Sequence, residues 1–550
     1  MNLTDASGPG LNRRVLYRPA MSESRWTVAA EGYFDQTSYE PGDTITFHAG
    51  STNAHPSGRV APAETTLDVD IEIARVGAQR NVIANFPALQ VPSHPIAADA
   101  HATGAQWPPL LSFTASPEWV SGWYEATLNA VLPDGSAVER RAGFVLRAPT
   151  GAPRSKILLE LSLNTWNAYN DWGGSNLYLG GTAVSFRRPL ANGLITRPDP
   201  HNHRNAAMSA EPDLGGSAWS DHARAAKISS WSACSGWPTW EGPFVAWAEA
   251  AGYQFDYAVN ADLELRPEVL DGHTLMLSVG HDEYWSSPMR DTVETFIAGG
   301  GNVAFFSGNT SFWQVRLEDD GATMVSYKGE ARSRDPLRKT HPHLLSGMWS
   351  DPIIGRPESR MTGVTFSRGG YARIAGGTPR GQRGYTIWRP EHWMFEGTDL
   401  RYGDLFGADH IVVGYECDGC EMTLENNLPV PTHADGCPEG FEILGSAPAR
   451  LWSVNVEKGV NEYSTGLQAI RTMGELEGVA HVLFGSMSED NVAKVAHGNA
   501  VLGAYTAGGT VITSGCTDWA YGVAGGDPLV QRVTRNVLDR LQRGVVDGDL

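Results

Sequence analysis

Cysteine is scarce in this sequence, with five among 550 residues. So few cysteines exclude a disulfide-stabilised scaffold and favour a reducing compartment, for which we expect the cytoplasm. Long apolar runs are also missing, and none reaches the ~18 residues that a membrane-spanning helix needs. The first residues, MNLTDASGPGLNRRVLYRP, contain no apolar core of a secretory signal. The sequence therefore predicts a protein that does not enter a membrane.

Basic charge is low as well. Lys and Arg number 42 against 62 Asp and Glu, which gives a formal net charge of −20, and no basic run occurs. This balance argues against binding to nucleic acids and to anionic membrane surfaces. What is present is ample apolar material, since 41% of residues are hydrophobic and 9% aromatic. A chain of this length and composition is predicted to form about two to four globular domains.

The familiar nucleophile and phosphate-binding motifs are absent. The chain has no GxSxG elbow, no P-loop and no GxGxxG sequence after a strand. Any chemistry must therefore come from side chains that the fold brings together in another way.

The first third of the chain has the pattern of a β protein. Residues 1–25 are polar with glycine and proline, which predicts an N-terminal arm. From 26 to 147 the period is two, as in LDVDIEI at 67–73, with turn signals between the strands. We expect an all-β, immunoglobulin-like sandwich that folds separately and carries no catalytic group. The proline-bearing segment 148–153 is the predicted linker.

From 154 to 550 the pattern changes to alternating strands and helices. This alternation predicts an α/β domain with a doubly wound, mostly parallel sheet. Residues 331–450 are again turn-rich with short β-like runs, and we interpret them as a β-rich insertion. The segment 166–240 has no clear periodicity, and loops of that length are usually functional. Its histidines lack acidic partners at usual spacing, so a solvated loop is favoured over a metal site; they are His201, His203 and His222.

The most informative stretch of the α/β part is 273–316. An apolar run at 274–279 breaks at Gly280 and is followed by the letters HDEYW at 281–285. Ser287 and Pro288 then fit a helix N-cap and first helical position, and a second apolar run at 303–306 ends in SGN at 307–309. This is the pattern of a right-handed strand–helix–strand unit. Its polar clusters are predicted at the carboxyl ends of neighbouring parallel strands, where open α/β sheets bind ligands.

The cluster after the first strand joins a base, two acids and two aromatic residues. Perturbed groups at strand ends are often functional, which favours roles for His281 and Glu283. The alternative is structural: Asp282 caps the helix, His281 is a satisfied core histidine, and Glu283 pairs with an arginine.

Four residues in the predicted insertion have the spacing C-x2-C-x12-H-x3-C, which suits a structural zinc ion. They are Cys417, Cys420, His433 and Cys437. Reduced, packed thiols are the favoured alternative, because the segment is acidic and the pattern is only moderately specific.

Several passages of the α/β part resemble the large (beta) subunit of N,N-dimethylformamidase and its relatives. They are NTWNAYNDWGGSNLY at 164–178, SVGHDEYW at 278–285, FFSGN at 305–309, VGYE at 413–416 and TDWAYG at 517–522. The resemblance implies a class I glutamine amidotransferase-like fold and a mononuclear iron held by two tyrosinates and a glutamate. The residues at the matching ligand positions are Tyr169, Tyr178 and Glu283. The residues that match the family's histidine, asparagine and glutamate around the metal are His281, Asn309 and Glu416.

The implied function is iron-dependent hydrolysis of a small amide. Three anionic oxygens suit Fe(III), which would act as a Lewis acid towards a carbonyl or a water. His281 or Glu416 would move protons to the departing amine, and Asn309 would bond the amide oxygen. The tryptophans expected to form a small, dry substrate pocket are Trp285, Trp313 and Trp519. We expect a homo-oligomer, with a small partner subunit left open.

The substrate of the implied hydrolysis stays open. The formamidase's lectin-like insertion is not evident here, so another C–N bond is as good a substrate as a formamide.

Two functions other than amide hydrolysis also stay open. A ferric phenolate site is also compatible with oxidation, although no 2-His-1-carboxylate triad or reductase module is evident. The third alternative is a non-catalytic binding protein with a degenerate catalytic domain, against which the intact residues at every matched position argue.

Overall fold

The computed structural model describes residues 26–132, 134–198, 222–223, 225–372, 378, 381–451 and 475–544. The predicted N-terminal arm at 1–25 lies outside the described residues, as do His201 and His203.

The first part of the chain forms two facing β-sheets. The described strands are β1 (Thr27–Phe34), β2 (Ser38–Tyr39), β3 (Thr44–Ala54), β4 (Val60–Pro62), β5 (Leu67–Val76), β6 (Arg80–Val91), β7 (Pro109–Thr114), β8 (Gly122–Val131) and β9 (Ala137–Leu146). One sheet has the order β1-β3-β4 with β7 also on β3, and the other has the order β2-β9-β8-β5-β6. Strand β5 shows how a period of two gives a sheet one apolar face. Its Val69 and Ile71 are buried, whereas Asp68 and Asp70 are exposed.

A nine-stranded mixed sheet organises the second part, in the order β12-β10-β13-β15-β26-β25-β24-β19-β20. Its strands are β10 (Ile157–Leu161), β12 (Asp256–Val259), β13 (Leu275–His281), β15 (Asn302–Gly308), β19 (Tyr385–Ile387), β20 (Leu405–Phe406), β24 (Glu442–Ala449), β25 (Gly498–Ala507) and β26 (Gly509–Thr513). The pairs from β12 to β26 are parallel, and those from β26 to β20 are antiparallel. The carboxyl ends of β10, β13 and β15 therefore meet at one edge.

Smaller sheets surround that edge. A four-stranded sheet has the order β11-β17-β16-β14, and two-stranded sheets pair β18 with β21 and β22 with β23. The strands are β11 (Ala183–Ser185), β14 (Tyr284–Ser286), β16 (Trp313–Glu318), β17 (Thr323–Val325), β18 (Thr365–Tyr371), β21 (Glu416–Gly419), β22 (Met422–Glu425) and β23 (Leu428–Pro431).

Helices cover both faces of the large sheet. The described α-helices are α1 (Ala100–Thr103), α2 (Leu163–Tyr169), α3 (Glu241–Ala250), α4 (Asn260–Leu265), α5 (Ser287–Ala298), α6 (Ala331–Arg334), α7 (Ser359–Thr362), α8 (Glu475–Phe484), α9 (Glu489–Ala493), α10 (Trp519–Gly525) and α11 (Pro528–Leu541). Neighbouring strand residues belong to different cores, because successive side chains point to opposite faces. Leu159 packs in the core with helix α11, whereas Leu158 packs in the core with helix α5.

Part of the segment predicted as a β-rich insertion extends the main sheet. Strand β24 pairs antiparallel with β25 from Glu442 to Ala449, and β19 and β20 follow it at the edge. Within the segment 331–450, strands β19, β20 and β24 therefore belong to the antiparallel side of the large sheet, whereas β18, β21, β22 and β23 form two-stranded sheets.

The sandwich and the α/β part share apolar core. Trp123 of β8 is fully buried, and its ring centroid lies 5.3 Å from that of Trp166 and 5.6 Å from that of Trp237. Arg75 of β5 pairs with Glu249 of α3 at 2.7 Å. A sandwich on its own would expose the ring of Trp123, so the two parts pack together here, and separate folding of 26–147 stays a prediction.

Two further findings concern helix length and the state of the cysteines. Among the described residues, no helix is both long and apolar enough to span a membrane. Each of the five cysteines is buried and unbridged.

Candidate active site

The site lies at the carboxyl ends of β13 and β15. Gly280, next to last in β13, has a φ of +88°, and a Cβ atom there would lie 2.6 Å from Cβ of Trp240. Only glycine fits this conformation and this close approach. The bend is followed by His281 and Glu283, both buried.

Three oxygen-bearing side chains converge at this edge: Tyr169, Tyr178 and Glu283. Tyr169 ends helix α2, which follows β10 directly. The hydroxyl oxygens of Tyr169 and Tyr178 are 2.7 Å apart. Tyr169 Oη is 3.1 Å from Oε2 of Glu283, and Tyr178 Oη is 2.8 Å from Oε1 and 3.0 Å from Oε2. The structure thus brings together the three residues predicted to hold a metal.

Neighbouring donors fix the orientation of this triad. Trp313 Nε1 donates to Oε1 of Glu283 at 2.7 Å, and the backbone N–H of Glu283 donates to Oγ1 of Thr165 at 2.9 Å. The hydroxyl of Tyr284 donates to the hydroxyl oxygen of Tyr178 at 2.8 Å. These bonds hold the carboxylate and the second phenol in place without occupying every lone pair.

A second group of polar side chains adjoins the triad. His281 Nε2 lies 2.6 Å from Oε2 of Glu416 and 3.4 Å from Oε2 of Glu283, and its Nδ1 lies 2.7 Å from the carbonyl oxygen of Cys234. Asn309 Nδ2 donates to Oε2 of Glu416 at 3.0 Å. Sequence reasoning named three of these residues, and the structure places them within one hydrogen-bonded set.

The carboxylates hold His281 in its charged form. Burial lowers the pKa of His281, but Glu416 and Glu283 outweigh burial and raise it to about 9. Burial raises the pKa of Glu416, but the charge of His281 outweighs it, so the pKa is lowered on balance. A buried imidazolium–carboxylate pair is able to hold and deliver a proton.

The chemistry of the triad fits a hard, highly charged cation. Burial, together with the charge of Glu283, raises the pKa of Tyr169 and of Tyr178 well above 10, so neither phenol loses its proton by itself. A cation must replace both protons for the phenols to become ligands. Three anionic oxygens in a buried place then need a compensating charge, and Fe(III) supplies one of the right size and hardness.

The distances within the triad are those of hydrogen bonds between the two phenols and the carboxylate. The oxygen–oxygen separations from Tyr169 to Tyr178 and from both to Glu283 span 2.7 to 3.1 Å.

Sequence reasoning missed a buried lysine at this site. Nζ of Lys328 lies 3.0 Å from the ring centroid of Tyr178, 5.1 Å from that of Tyr284 and 5.4 Å from that of Trp313. It has no hydrogen-bond acceptor among the described residues. Burial lowers its pKa to about 7, against the opposing effect of Glu283. Lys328 has a φ of +48°, a backbone conformation that lysine rarely adopts. No motif or pattern in the sequence indicates this conformation.

Glu475 is a second group that sequence reasoning missed. Its Oε1 accepts a hydrogen bond from the hydroxyl of Tyr371 at 3.2 Å, and Oε2 has no partner among the described residues. Burial, with the nearby charge of Glu416, raises its pKa to about 8. No motif surrounds this residue, so only the fold connects it with the site.

Two of the three tryptophans expected in the pocket lie elsewhere. Trp313 contacts Glu283, but Trp285 and Trp519 are fully buried in the cores on opposite faces of the sheet. Trp285 Nε1 donates to Oδ1 of Asp282 at 2.8 Å, and Trp519 Nε1 donates to Oγ1 of Thr534 at 3.0 Å. Both rings are thus core residues with satisfied N–H groups, and the expectation that they line the pocket is corrected.

Cys417 lies apart from Cys420 and Cys437, two of the other residues with zinc-like spacing. Cys417 packs in one core, with its Sγ 3.6 Å from Sγ of Cys516, whereas Cys420 and Cys437 pack in the other core. Nδ1 of His433 lies 2.9 Å from the carbonyl oxygen of Cys437. Within the described ranges, no group of three or more His, Cys, Asp or Glu side chains has a metal-binding arrangement.

The comparisons with known proteins give one extensive match. A family model described as N,N-dimethylformamidase beta subunit-like, C-terminal, matches residues 70–533. No curated protein matches the chain.

Among solved structures, three cover 22% of this chain each. The sporulation control protein Spo0M from Bacillus subtilis is 10% identical with a TM-score of 0.16, and the chain spans 50% of its length. The PmoD soluble domain from Methylocystis sp. ATCC 49242 (Rockwell) is 8% identical over 90% of its length, with a TM-score of 0.13. Murine CRIg is 14% identical over 98% of its length, with a TM-score of 0.14. Scores this low carry no conclusion about the fold.

Proposed function

The chain belongs to the N,N-dimethylformamidase beta subunit-like family, and on that basis we propose that it hydrolyses a small amide with the help of a mononuclear ferric ion. The observation that supports this most strongly is the convergence of three oxygen donors, from Tyr169, Tyr178 and Glu283, within 2.7 to 3.1 Å of one another. Among the described residues, Tyr371, by contrast, donates alone to the carboxylate of Glu475. Two phenols against one buried carboxylate are better explained as a ligand set.

Tyr169, Tyr178 and Glu283 would hold the ion. When bound, a ferric ion supplies Lewis acidity to an amide carbonyl or to a water molecule. Trp313 and Tyr284 keep the ligand oxygens oriented through their hydrogen bonds to Glu283 and Tyr178. Hydrogen bonds of this kind fix ligand geometry and tune the basicity of the ligands.

Proton transfer is the role of His281 with Glu416. The imidazolium of His281 stands between the triad and Glu416, and its raised pKa keeps the proton available at neutral pH. It would deliver that proton to the departing amine nitrogen, while Glu416 stabilises the charge. Nδ1 is held by the carbonyl of Cys234, so the proton that moves is the one on Nε2.

Asn309 would orient the substrate. One N–H of its amide bonds Glu416, and the second N–H would bond the amide oxygen as negative charge develops on it. The single ring of the predicted pocket that adjoins the triad is that of Trp313, so the wall is partly aromatic.

The proposal extends to the architecture and assembly. We include in it a class I glutamine amidotransferase-like arrangement of the α/β part, supported by the parallel strands from β12 to β26. A homo-oligomer, with or without a small partner subunit, completes it.

Metal analysis and colour test the proposal directly. Purified protein should contain about one iron per chain and absorb visible light through its tyrosinate ligands. Tyr169→Phe, Tyr178→Phe and Glu283→Gln should each lower the iron content, since each removes one anionic ligand and little volume. Tyr257→Phe is the matched control, because it removes a buried phenol that contacts a carboxylate, Glu249, away from the triad, and it should keep the metal.

Activity is measured as amine release from a panel of small formamides, acetamides and other linear amides. Iron-free, colourless protein that hydrolyses these amides would refute the metal role. Iron-replete protein that is inactive on the whole panel would point instead to oxidative chemistry or to binding without catalysis.

A further inference from the structure

The segment between the two tyrosines leaves the site and returns to it. Tyr169 ends helix α2, and Tyr178 follows after the loop 170–177, yet their hydroxyl oxygens are 2.7 Å apart. Asn176 joins the two ends of this loop: its Nδ2 donates to the carbonyl oxygen of Tyr169 at 3.1 Å, and its Oδ1 accepts from the backbone N–H of Tyr178 at 2.8 Å. The position of Tyr178 therefore depends on the path of the loop.

The outer part of the loop is inserted into the N-terminal sandwich. The side chain of Trp172 is 1% exposed and packs with Tyr33, Ala100 and Trp107, all from the sandwich. Its ring meets that of Trp107 edge to face, with centroids 5.6 Å apart at 85°. Its Nε1 donates to Oε2 of Glu31 at 2.8 Å. Trp172 thus joins a core cluster that contains sandwich residues together with Ala191 and Leu194 of the α/β part.

The acceptor for Trp172 is itself fixed. Glu31 lies in strand β1, 3% exposed, and its Oε2 also accepts from Oγ1 of Thr52 at 2.7 Å. Its Oε1 faces Nε of Arg140 at 3.7 Å. A carboxylate buried in a strand is costly unless it is paired, and here all of its partners orient it towards the loop.

A backbone contact supports the same attachment. The N–H of Gly174 donates to the carbonyl oxygen of Gly58, in the connection between β3 and β4, at 2.9 Å. Gly173 has a φ of +90°, and a Cβ atom there would lie 3.0 Å from the backbone nitrogen of His101 in α1. The turn that sends the chain back to Tyr178 is therefore formed against the sandwich surface.

From these contacts we propose that Glu31 and Trp172 are positioning residues, through which the N-terminal sandwich holds Tyr178 in the metal-binding arrangement. This rests on the proposed function, because it assigns Tyr178 to the metal. The physical reason is that ligand oxygens must be held to within a fraction of an ångström, and a loop achieves this only when its far end is anchored. The sandwich then belongs to the metal site, although none of its side chains reaches the triad.

The test uses the full-length chain and the variant Trp172→Phe, which keeps an apolar ring but removes the donor to Glu31. Iron affinity is measured by competition with a chelator, and the tyrosinate-to-iron absorption band is recorded. We expect iron to bind 10- to 100-fold more weakly, the range typical of residues that orient metal ligands, with a shifted band. Glu31→Gln keeps an acceptor oxygen for Trp172 and should retain most of the affinity.

Tyr124→Phe is the matched control. It removes one buried hydrogen bond inside the sandwich, from the hydroxyl of Tyr124 to the carbonyl oxygen of Val120 at 2.7 Å, without touching the loop. It should leave affinity and band unchanged. Wild-type affinity and band in Trp172→Phe, or an equal loss in Tyr124→Phe, would overturn the proposal.

Hydrogen exchange in metal-free protein separates this proposal from the proposed function. In Trp172→Phe the amides of 170–178 should exchange faster, while in Tyr124→Phe they should keep wild-type protection. If the wild type takes up no iron, the proposed function fails, and this exchange result alone decides whether the sandwich anchors the loop. Unchanged protection of 170–178 in Trp172→Phe would then overturn the anchoring.

Discussion

Nε2 of His281 lies 2.6 Å from Oε2 of Glu416 and only 3.4 Å from Oε2 of Glu283. The histidine thus separates a carboxylate of the proposed metal triad from a carboxylate outside it. A ligand and a proton donor would use this nitrogen differently, since a donor needs its proton while a ligand must lose it. The two roles therefore lead to opposite expectations for the iron content of a His281 variant.

We expect His281→Gln to keep the iron and to lose turnover by roughly 10²- to 10⁴-fold, the usual contribution of a general acid–base group. Glutamine is the better test than alanine, because its N–H still bonds Glu416 and does not leave that carboxylate alone in the core. Iron content and kcat are measured on the same preparation. Loss of the iron with the activity would make His281 a ligand instead.

The dependence of kcat on pH in the wild type should report the protonation of His281. Because the pKa of His281 is raised to about 9, the proton that it delivers is present below that pH and is lost as the pH rises through it. A bound cation beside Glu283 would lower this pKa, so we expect kcat for a small amide to fall with rising pH, at or below about pH 9. A rate that rises through this range would exclude His281 as the acid.

Lys328 should tune the colour of the iron site. Its ammonium lies 3.0 Å from the ring centroid of Tyr178, and a cation over an aromatic face stabilises the electrons of the ring. Without the ammonium, Lys328→Met should move the tyrosinate-to-iron band to longer wavelength, because less energy is then needed to move an electron from ring to metal. Lys328→Arg should move it less.

Lys494→Met is a suitable control for that measurement. Lys494 makes the same kind of contact with Phe484, at 4.7 Å from the ring centroid, but it lies outside the site. The tyrosinate-to-iron band of Lys494→Met should match that of the wild type. An unshifted band in Lys328→Met would show that the lysine does not influence Tyr178 electronically.

Glu241 should make stability depend on pH. Burial raises the pKa of its carboxyl from 4.5 to about 8, despite the hydrogen bonds from Trp166 and Ser162. Between these values the folded protein holds the proton and the unfolded chain does not, so wild-type stability should fall as pH rises from about 4.5 to 8. Glu241→Gln mimics the protonated form and should lack this loss. Its unfolding free energy should match the wild type near pH 4.5 and exceed it by a few kcal/mol near pH 9, at about 1.4 kcal/mol per pKa unit.

Urea unfolding at both pH values measures the difference, and Glu249→Gln on the same helix provides the comparison. Burial raises the pKa of Glu249, but the partnership with Arg75 outweighs it and lowers the pKa on balance. Because Glu249 is stabilised in its ionised form, Glu249→Gln should lose stability at pH 5 and at pH 9 alike. If Glu241→Gln were equally destabilised at both pH values, Glu241 would be ionised in the folded protein.

Short-range patterns carried much of the information about the α/β part. The apolar runs and glycines at 273–316 predicted two strands and a helix, which the structure has as Leu275–His281, Ser287–Ala298 and Asn302–Gly308. Periodicity and breakers act within a few residues of the chain, so they are visible in the sequence. The residue that caps the helix could not be identified correctly from the sequence. Ser286, and not Ser287, accepts the N–H of Met289, and its hydroxyl also donates to Oε2 of Glu264 at 2.6 Å.

The sequence by itself determined the period-two pattern of the sandwich strands, the strand–helix–strand unit and the presence of His281 and Glu283 at a strand end. Only the tertiary structure decided which distant side chains join them. Tyr178 reaches Glu283 because its loop is anchored by Trp172 in the sandwich, and Lys328 reaches Tyr178 from a segment with no motif. Trp285 and Trp519 pack away from the site because each N–H finds an acceptor in the core. Local patterns specify which face of an element is apolar, whereas these contacts depend on the path of the chain between elements.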